Sequence, residues 1–115
     1  MNKPIAIITG ASTGIGRSLA IKFSSKYLVY LISRNQQNLM QTKELIEANN
    51  GECKIIISDI SKSDSIDEIY SQIENKDKID LLINNAGIGI FKNISETTIE
   101  DWNNTINTNL TGSFL

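Results

Sequence analysis

The sequence has no histidine, one cysteine (Cys53), one proline and two arginines among its 115 residues. These absences exclude a disulfide framework, a Cys/His zinc site and any Ser-His or Cys-His nucleophile pair within the chain, and no metal site is expected. No apolar run approaches the roughly 18 residues that a membrane span needs. The opening Met1-Asn2-Lys3-Pro4 leads into a short strand-like run, not a signal peptide. The expectation is a soluble, cytoplasmic protein with neither membrane nor nucleic acid as a partner. Disorder is excluded by the 40% of hydrophobic residues against 21% charged, and the length fits one domain.

Acidic residues are missing from the first 43 positions, which carry only Lys3, Arg17, Lys22, Lys26, Arg34 and Lys43, a charge of +6. The remaining residues hold five basic and thirteen acidic side chains, −8, which together give the net −2. The N-terminal third should therefore attract an anion. Lys22, Lys26 and Lys43 are read as solvated helix faces.

What is present is a regular alternation. Four short apolar runs, Ile5-Ala6-Ile7-Ile8, Tyr27 to Ile32, Ile55-Ile56-Ile57 and Ile79 to Ile83, suit strands buried on both faces. Between and after them lie helical periods: Ile15, Leu19 and Phe23; Ile66, Ile69, Tyr70 and Ile73; Ile99, Trp102, Ile106 and Leu110. Gln36 to Ala48 has the length of a helix, and Asn49-Asn50-Gly51 reads as its exit. Ser61 with Asp64 and Thr97 with Glu100 fit the capping pattern of helix starts. The order βαβαβαβα with short crossovers predicts an α/β fold, a doubly wound parallel sheet of Rossmann type with strand order 3-2-1-4. In such a sheet the ligand lies across the carboxyl ends of the strands where the order reverses, here between the first and fourth strands.

The residues at those ends carry the chemistry. After the first strand comes Thr9-Gly10-Ala11-Ser12-Thr13-Gly14-Ile15-Gly16, a glycine-rich turn opening a helix. Gly10 permits the tight turn, Gly14 lets backbone approach a pyrophosphate, Gly16 allows close helix-sheet contact, and the N–H groups and helix dipole face the anion. After the second strand stand Ser33 and Arg34, where a dinucleotide fold reads the adenosine ribose. No carboxylate lies between Gly16 and Glu44 to accept from a 2′-hydroxyl, whereas Arg34 offers a planar fork suited to a 2′-phosphate and Ser33 adds a hydroxyl. NADP(H) is therefore preferred over NAD(H). After the third strand, Asp59 can accept from an adenine amino group while Ile60 covers the ring; alternatively Asp59 holds the turn before Ser61. After the fourth come Asn84-Asn85-Ala86-Gly87, whose short amides can also brace neighbouring loops.

In order and along the whole chain, Thr9-Gly10-x-x-x-Gly14-x-Gly16, Asp59, Asn84-Asn85-Ala86-Gly87 and Asn109-Leu110-Thr111-Gly112 resemble the short-chain dehydrogenase/reductase family, in its single-domain branch. The resemblance implies that Gly10, Ala11, Ser12, Thr13 and Ile15 hold the cofactor phosphates, Asp59 and Ile60 the adenine, and Asn85 the nicotinamide-side ribose, with Ala86 and Gly87 also among the cofactor-binding residues. Asn109 would be the catalytic asparagine that orders a water. The implied reaction is hydride transfer between a nicotinamide and a small-molecule carbonyl or alcohol, and full-length relatives pair through the helix begun near Thr111, so a homo-oligomer is expected.

The family's Tyr-x-x-x-Lys pair is absent: Tyr27, Tyr30 and Tyr70 are followed four places on by Leu31, Arg34 and Glu74. Four strand-helix units fill the chain where a complete sheet has about six strands, and Gly112-Ser113-Phe114-Leu115 carries no stop signal. The expectation is a partial NADP(H)-binding domain over 1–115, lacking the catalytic half and inactive alone. The alternative is a stand-alone, non-catalytic dinucleotide-binding or regulatory module. Against it, the fourth strand (Ile79, Leu81, Leu82, Ile83) would be an uncovered apolar edge.

Overall fold

The structure, a computed structural model, describes residues 3–62, 64–86 and 96–111. Its elements are β1 (Ile5–Thr9), α1 (Gly14–Phe23), β2 (Leu28–Ser33), α2 (Gln36–Ala48), β3 (Glu52–Ile57), α3 (Ser65–Gln72), a 3-10 turn (Lys76–Lys78), β4 (Ile79–Ile83) and α4 (Ile99–Ile106) running into a π turn (Asn107–Thr111). The four strands are parallel in the order β3-β2-β1-β4. The doubly wound α/β sheet with order 3-2-1-4 is therefore the observed one.

Alternation along β1 sorts the core into two layers. Ile5 and Ile7 join Tyr30, Ile32 and Ile56 beneath Ile69 and Ile73 at α3, while Ala6 and Ile8 join Val29 and Leu31 beneath Ala20 of α1 and Leu39 and Ile46 of α2. The chain steps outward from β1 to β3 with α1 and α2 on one face. It then crosses back to β4, and the right-handed crossover puts α3 on the other face. The carboxyl ends of β1 and β4, where this reversal occurs, diverge into different loops and leave the crevice of such folds.

Several expectations need correction. β1 and the middle of β2 are buried on both faces, but the outer strands β3 and β4 are half-exposed, because each has a neighbour on one side only. Leu82 on the β4 edge is 56% exposed. On α1 the buried residues are Gly16 and Ala20 while Ile15 faces solvent, since the helix lies so close to the sheet that only small side chains fit beneath it. The exit from α2 does fall at Asn49-Asn50-Gly51, with Asn50 in the left-handed conformation (φ 63°); a Cβ on Gly51 would meet Ser24 Oγ at 2.6 Å, so glycine is there for space. The capping pairs also move. Ser61 does not cap α3, because its hydroxyl goes to Asp59, and α4 is capped by Thr98 with Asp101, one residue later than the Thr97-Glu100 pattern. Ile99, Trp102 and Leu110 form an apolar face that is exposed, since no described strand makes more than marginal contact with α4. Among the described residues no helix is long and apolar enough to cross a membrane.

Candidate functional site

The loops leaving the four strands enclose a cleft of about 310 Å³ at the carboxyl edge of the sheet, within the range of small-molecule sites. Its floor is the first βα turn. Gly10 has φ 66°, and its N–H donates to the Ile32 carbonyl at 2.9 Å, which stitches the turn to the end of β2. Ser12 and Thr13 line the cleft. Thr13 begins α1 in an extended conformation with no side-chain cap, and no acidic residue stands in the first helical turn. The N–H groups of Gly14, Ile15 and Gly16 therefore have no intrahelical acceptor, and the positive end of the helix dipole is not offset there. Gly14 has φ 59° with open space where a Cβ would be.

Gly16 is required by contact. A Cβ there would overlap the Gly10 carbonyl oxygen and stand 2.6 Å from the Asn85 amide nitrogen. That amide donates to the Gly10 carbonyl at 3.2 Å. Beneath it the buried Thr9 hydroxyl accepts the N–H groups of Asn85 at 3.0 Å and Ala86 at 3.1 Å. Asn85 thus braces the β4 loop against the glycine turn while it and Ala86 line the cleft.

The far wall comes from β2 and β3. Ser33 Oγ donates to Ser12 Oγ at 3.1 Å, which closes one side of the cleft across the β1–β2 gap. Arg34, with its side chain 58% exposed, lies 3.9 Å from an Asp59 carboxylate oxygen. This is an ion pair too long for a hydrogen bond, so it holds the guanidinium only weakly. The other Asp59 oxygen accepts from the Ser61 amide at 3.0 Å and the Ser61 hydroxyl at 2.6 Å. Partial burial works to raise the Asp59 pKa, but the two Ser61 donors together with the charges of Arg34 and Lys62 outweigh it, and the net shift is downward. Asp59 therefore does hold its turn. Ile60 is buried in the core and shows one edge to the cleft.

Of the residues singled out in the sequence, Gly10, Ser12, Thr13, Ser33, Arg34, Asp59, Ile60, Asn85 and Ala86 meet at one cleft. Ala11 does not: its side chain is fully buried and its N–H is directed at the Ile32 carbonyl at 3.4 Å, so packing, not a ligand, explains it. Gly14, Ile15 and Gly16 stand at the helix end outside the lining itself. Gly87 lies outside the described residues. Asn109 sits exposed on the π turn and does not line the cleft.

The sequence reading missed Asn35, Asn38 and Ser58, which also line the cleft. Asn35 could have been found, since its side chain accepts from the Asn38 N–H as the N-cap of α2, a role asparagine favours. Ser58 follows β3 directly. Chemically the cleft pairs a helix end that attracts anions with one exposed guanidinium, and a carboxylate with three uncharged amides. That set suits a ligand with separated anionic groups and donor-bearing rings. The described residues that line it include no tyrosine, cysteine or lysine.

The model of the short chain dehydrogenase family matches residues 4–115. Among curated proteins, an uncharacterized oxidoreductase of Thermotoga maritima is 35% identical over 112 residues, 96% of this chain and 44% of that protein. Glucose 1-dehydrogenase 2 of Bacillus subtilis is 31% identical over 114 residues, again 96% of this chain and 44% of its own length. Among solved structures, a metagenomic short-chain oxidoreductase in complex with NADP superposes with a TM-score of 0.89 at 31% identity, over 97% of this chain and 52% of that one. The bulky-bulky ketone specific alcohol dehydrogenase of Comamonas testosteroni gives 0.84 at 25% identity, over 97% and 46%. The chain thus spans about half the length of the relatives it matches. With the glycine turn, the strand order and the match along nearly every residue in agreement, the chain belongs to the short chain dehydrogenase family.

Proposed function

We propose that the cleft binds NADP(H), in preference to NAD(H), and that the whole protein interconverts a carbonyl and an alcohol on a small molecule. The observation that carries this reading is the placement of Arg34 and the open end of α1 on one cleft, with no carboxylate but Asp59 between them. Ser12, Thr13, Gly14 and Ile15 would take the pyrophosphate, Arg34 and Ser33 the 2′-phosphate, Asp59 and Ile60 the adenine, and Asn85, Ala86 and Gly87 the nicotinamide-side ribose. Asp59 serves two ends in this arrangement: Ser61 keeps it ionised, and its weak pairing with Arg34 leaves the fork able to turn to a dianion. Bound there, the nicotinamide would carry the hydride.

The NADP in the metagenomic relative, and the names of the glucose and ketone enzymes, support the cofactor and the reaction class. Residues 1–115 are assigned the cofactor-binding role, and the proton donor is placed outside them, because no tyrosine here is followed by lysine four residues on. The 115-residue chain alone should oxidise no NADPH with a panel of carbonyl compounds. Calorimetric titration tests the cofactor choice. Arg34→Asp should lower the ratio of NADPH to NADH affinity at least about tenfold, since charge-assisted bonds to a phosphate are lost. An unchanged ratio would refute it.

A further inference from the structure

The glycine turn has a polar underside that the cofactor-binding reading leaves without a purpose. Arg17, half-buried on α1, points to backbone and not into the cleft. Its Nη2 donates to the carbonyls of Ser12 at 2.6 Å and Asn38 at 3.1 Å and to Gln41 Oε1 at 3.3 Å, while its Nε donates to Thr42 Oγ1 at 2.9 Å. Thr42 is fully buried, and having accepted from Arg17 its hydroxyl has one proton to give. The shortest acceptor is the Ala11 carbonyl at 3.0 Å, ahead of Asn38 at 3.2 Å and Ser12 at 3.4 Å.

Peptide planarity turns these contacts into a constraint on the other side of the turn. In a trans peptide the carbonyl and the next residue's N–H point in opposite directions, and no cis peptide occurs among the described residues. Holding the Ala11 carbonyl on Thr42 therefore fixes the direction of the Ser12 N–H. Holding the Ser12 carbonyl on Arg17 fixes that of the Thr13 N–H. Both N–H groups are directed away from the Arg17–Thr42 side, and both residues line the cleft. The Asn38 carbonyl adds a link to the first turn of α2, next to Arg34.

We propose that Arg17, backed by Thr42, is a positioning residue: it fixes the orientation of the amides that face the cofactor pyrophosphate and locks the glycine turn to the helix beside the 2′-phosphate end. The proposal rests on the reading of the cleft as an NADP(H) site. It differs from a general attraction of basic residues for an anion, because the planar fork, not the charge, does the holding.

Two ligands separate positioning from everything else. NADPH carries the pyrophosphate; 2′-AMP carries the adenosine and 2′-phosphate without it. In calorimetric titrations of the protein, Arg17→Met should weaken NADPH about tenfold or more while leaving 2′-AMP within about twofold, the loss expected when oriented donors to a charged group are released. Arg17→Lys should recover only a minor part, because an ammonium cannot span a hydroxyl and two carbonyls in one plane. Thr42→Val should weaken NADPH about threefold and spare 2′-AMP, in keeping with one neutral hydrogen bond. Circular dichroism checks each fold, and if Arg17→Met does not fold, the lysine and Thr42→Val proteins decide. Unchanged NADPH affinity in the variants, equal losses for both ligands, or full rescue by lysine would each overturn the proposal alone. Wild-type protein that binds no NADPH would overturn the cleft reading and this proposal with it.

Discussion

Replacing Thr9 by valine keeps the shape of the side chain and removes one oxygen from the junction on which the site is built. Thr9 is 6% exposed, and that oxygen accepts from Asn85 N at 3.0 Å and Ala86 N at 3.1 Å. Its own proton reaches the Ile83 carbonyl only at 3.4 Å, a long contact that adds little. Two neutral hydrogen bonds at roughly 1 to 1.5 kcal/mol each give about 2 to 3 kcal/mol. The added buried methyl returns at most about 0.8 kcal/mol. The net loss is about 2 kcal/mol, or a fall in Tm of about 8 °C for a domain of this size. Thermal unfolding followed by circular dichroism reads it directly. Thr9→Ser, which keeps the oxygen and loses a methyl, should cost no more than about 1 kcal/mol. The same substitution lets the β4 loop drift from Gly10, so Thr9→Val should also weaken NADPH binding. A Tm within about 2 °C of wild type, or a serine variant that falls as far as valine, would refute the hydrogen-bond argument.

Gly10→Ala and Gly14→Ala share a positive φ, 66° and 59°, but only the first would press a Cβ to within 2.9 Å of the Ala86 backbone. Gly14→Ala should cost about 1 kcal/mol for its left-handed conformation and Gly10→Ala clearly more, about 2 to 4 kcal/mol once overpacking is added; urea unfolding midpoints in the reverse order would contradict this. Asp59 has a lowered pKa in the folded protein, so its contribution to stability is complete above the ordinary value of 3.8 and is lost as pH falls below it toward the folded value. The Tm advantage of wild type over Asp59→Asn should accordingly shrink from pH 5 to below about 3.8, and a pH-independent difference would exclude the ion as its source. Cys53, whose thiol is pushed up to about 11 by burial and by Glu47 against the opposing pull of Lys43, stays protonated at pH 8. Its reaction with a disulfide reagent should be at least about tenfold slower than that of a free thiol, and an equal rate would show the thiol to be unshielded.

The fold was legible because β1 and β2 lie under helices on both faces and so read as unbroken apolar runs, Ile5 to Ile8 and Leu28 to Ile32. β3 was the least visible element. Its first half, Glu52-Cys53-Lys54, sits at the sheet edge where every other side chain meets water, so no apolar run announces it and only Ile55 to Ile57 stood out. Helix faces were harder than helix positions. Of Ile15, Leu19 and Phe23, the last two do pack half-buried against the core, but Ile15 faces solvent and the residues fully buried under α1 are Gly16 and Ala20, because a helix pressed on the end of β1 selects small residues that hydrophobic periodicity overlooks.

The site divides the same way. What leaves a strand end as backbone turn or short polar side chain could be placed by counting from the strand, and so the turn, Ser33 with Arg34, Asp59 with Ile60 and Asn85 with Ala86 were all anticipated at one edge. What supports them has no local signature: Thr9 under Asn85 and Thr42 under Ala11 and Ser12 arrive from 30 or more residues away in sequence, and Arg17, only five residues from Ser12, carries no mark of its role. Charge shows how much this matters. The +6 of the first 43 residues suggested a broad attraction for an anion, but among those six side chains only Arg34 lines the cleft, and Asp59 stands opposite it. Arg17 spends its donors on carbonyls. Under the proposed reading, the pull on an anion therefore comes less from net charge than from the oriented N–H groups at the start of α1 and from Arg34, and Arg17 serves it with its charge turned away from the ligand.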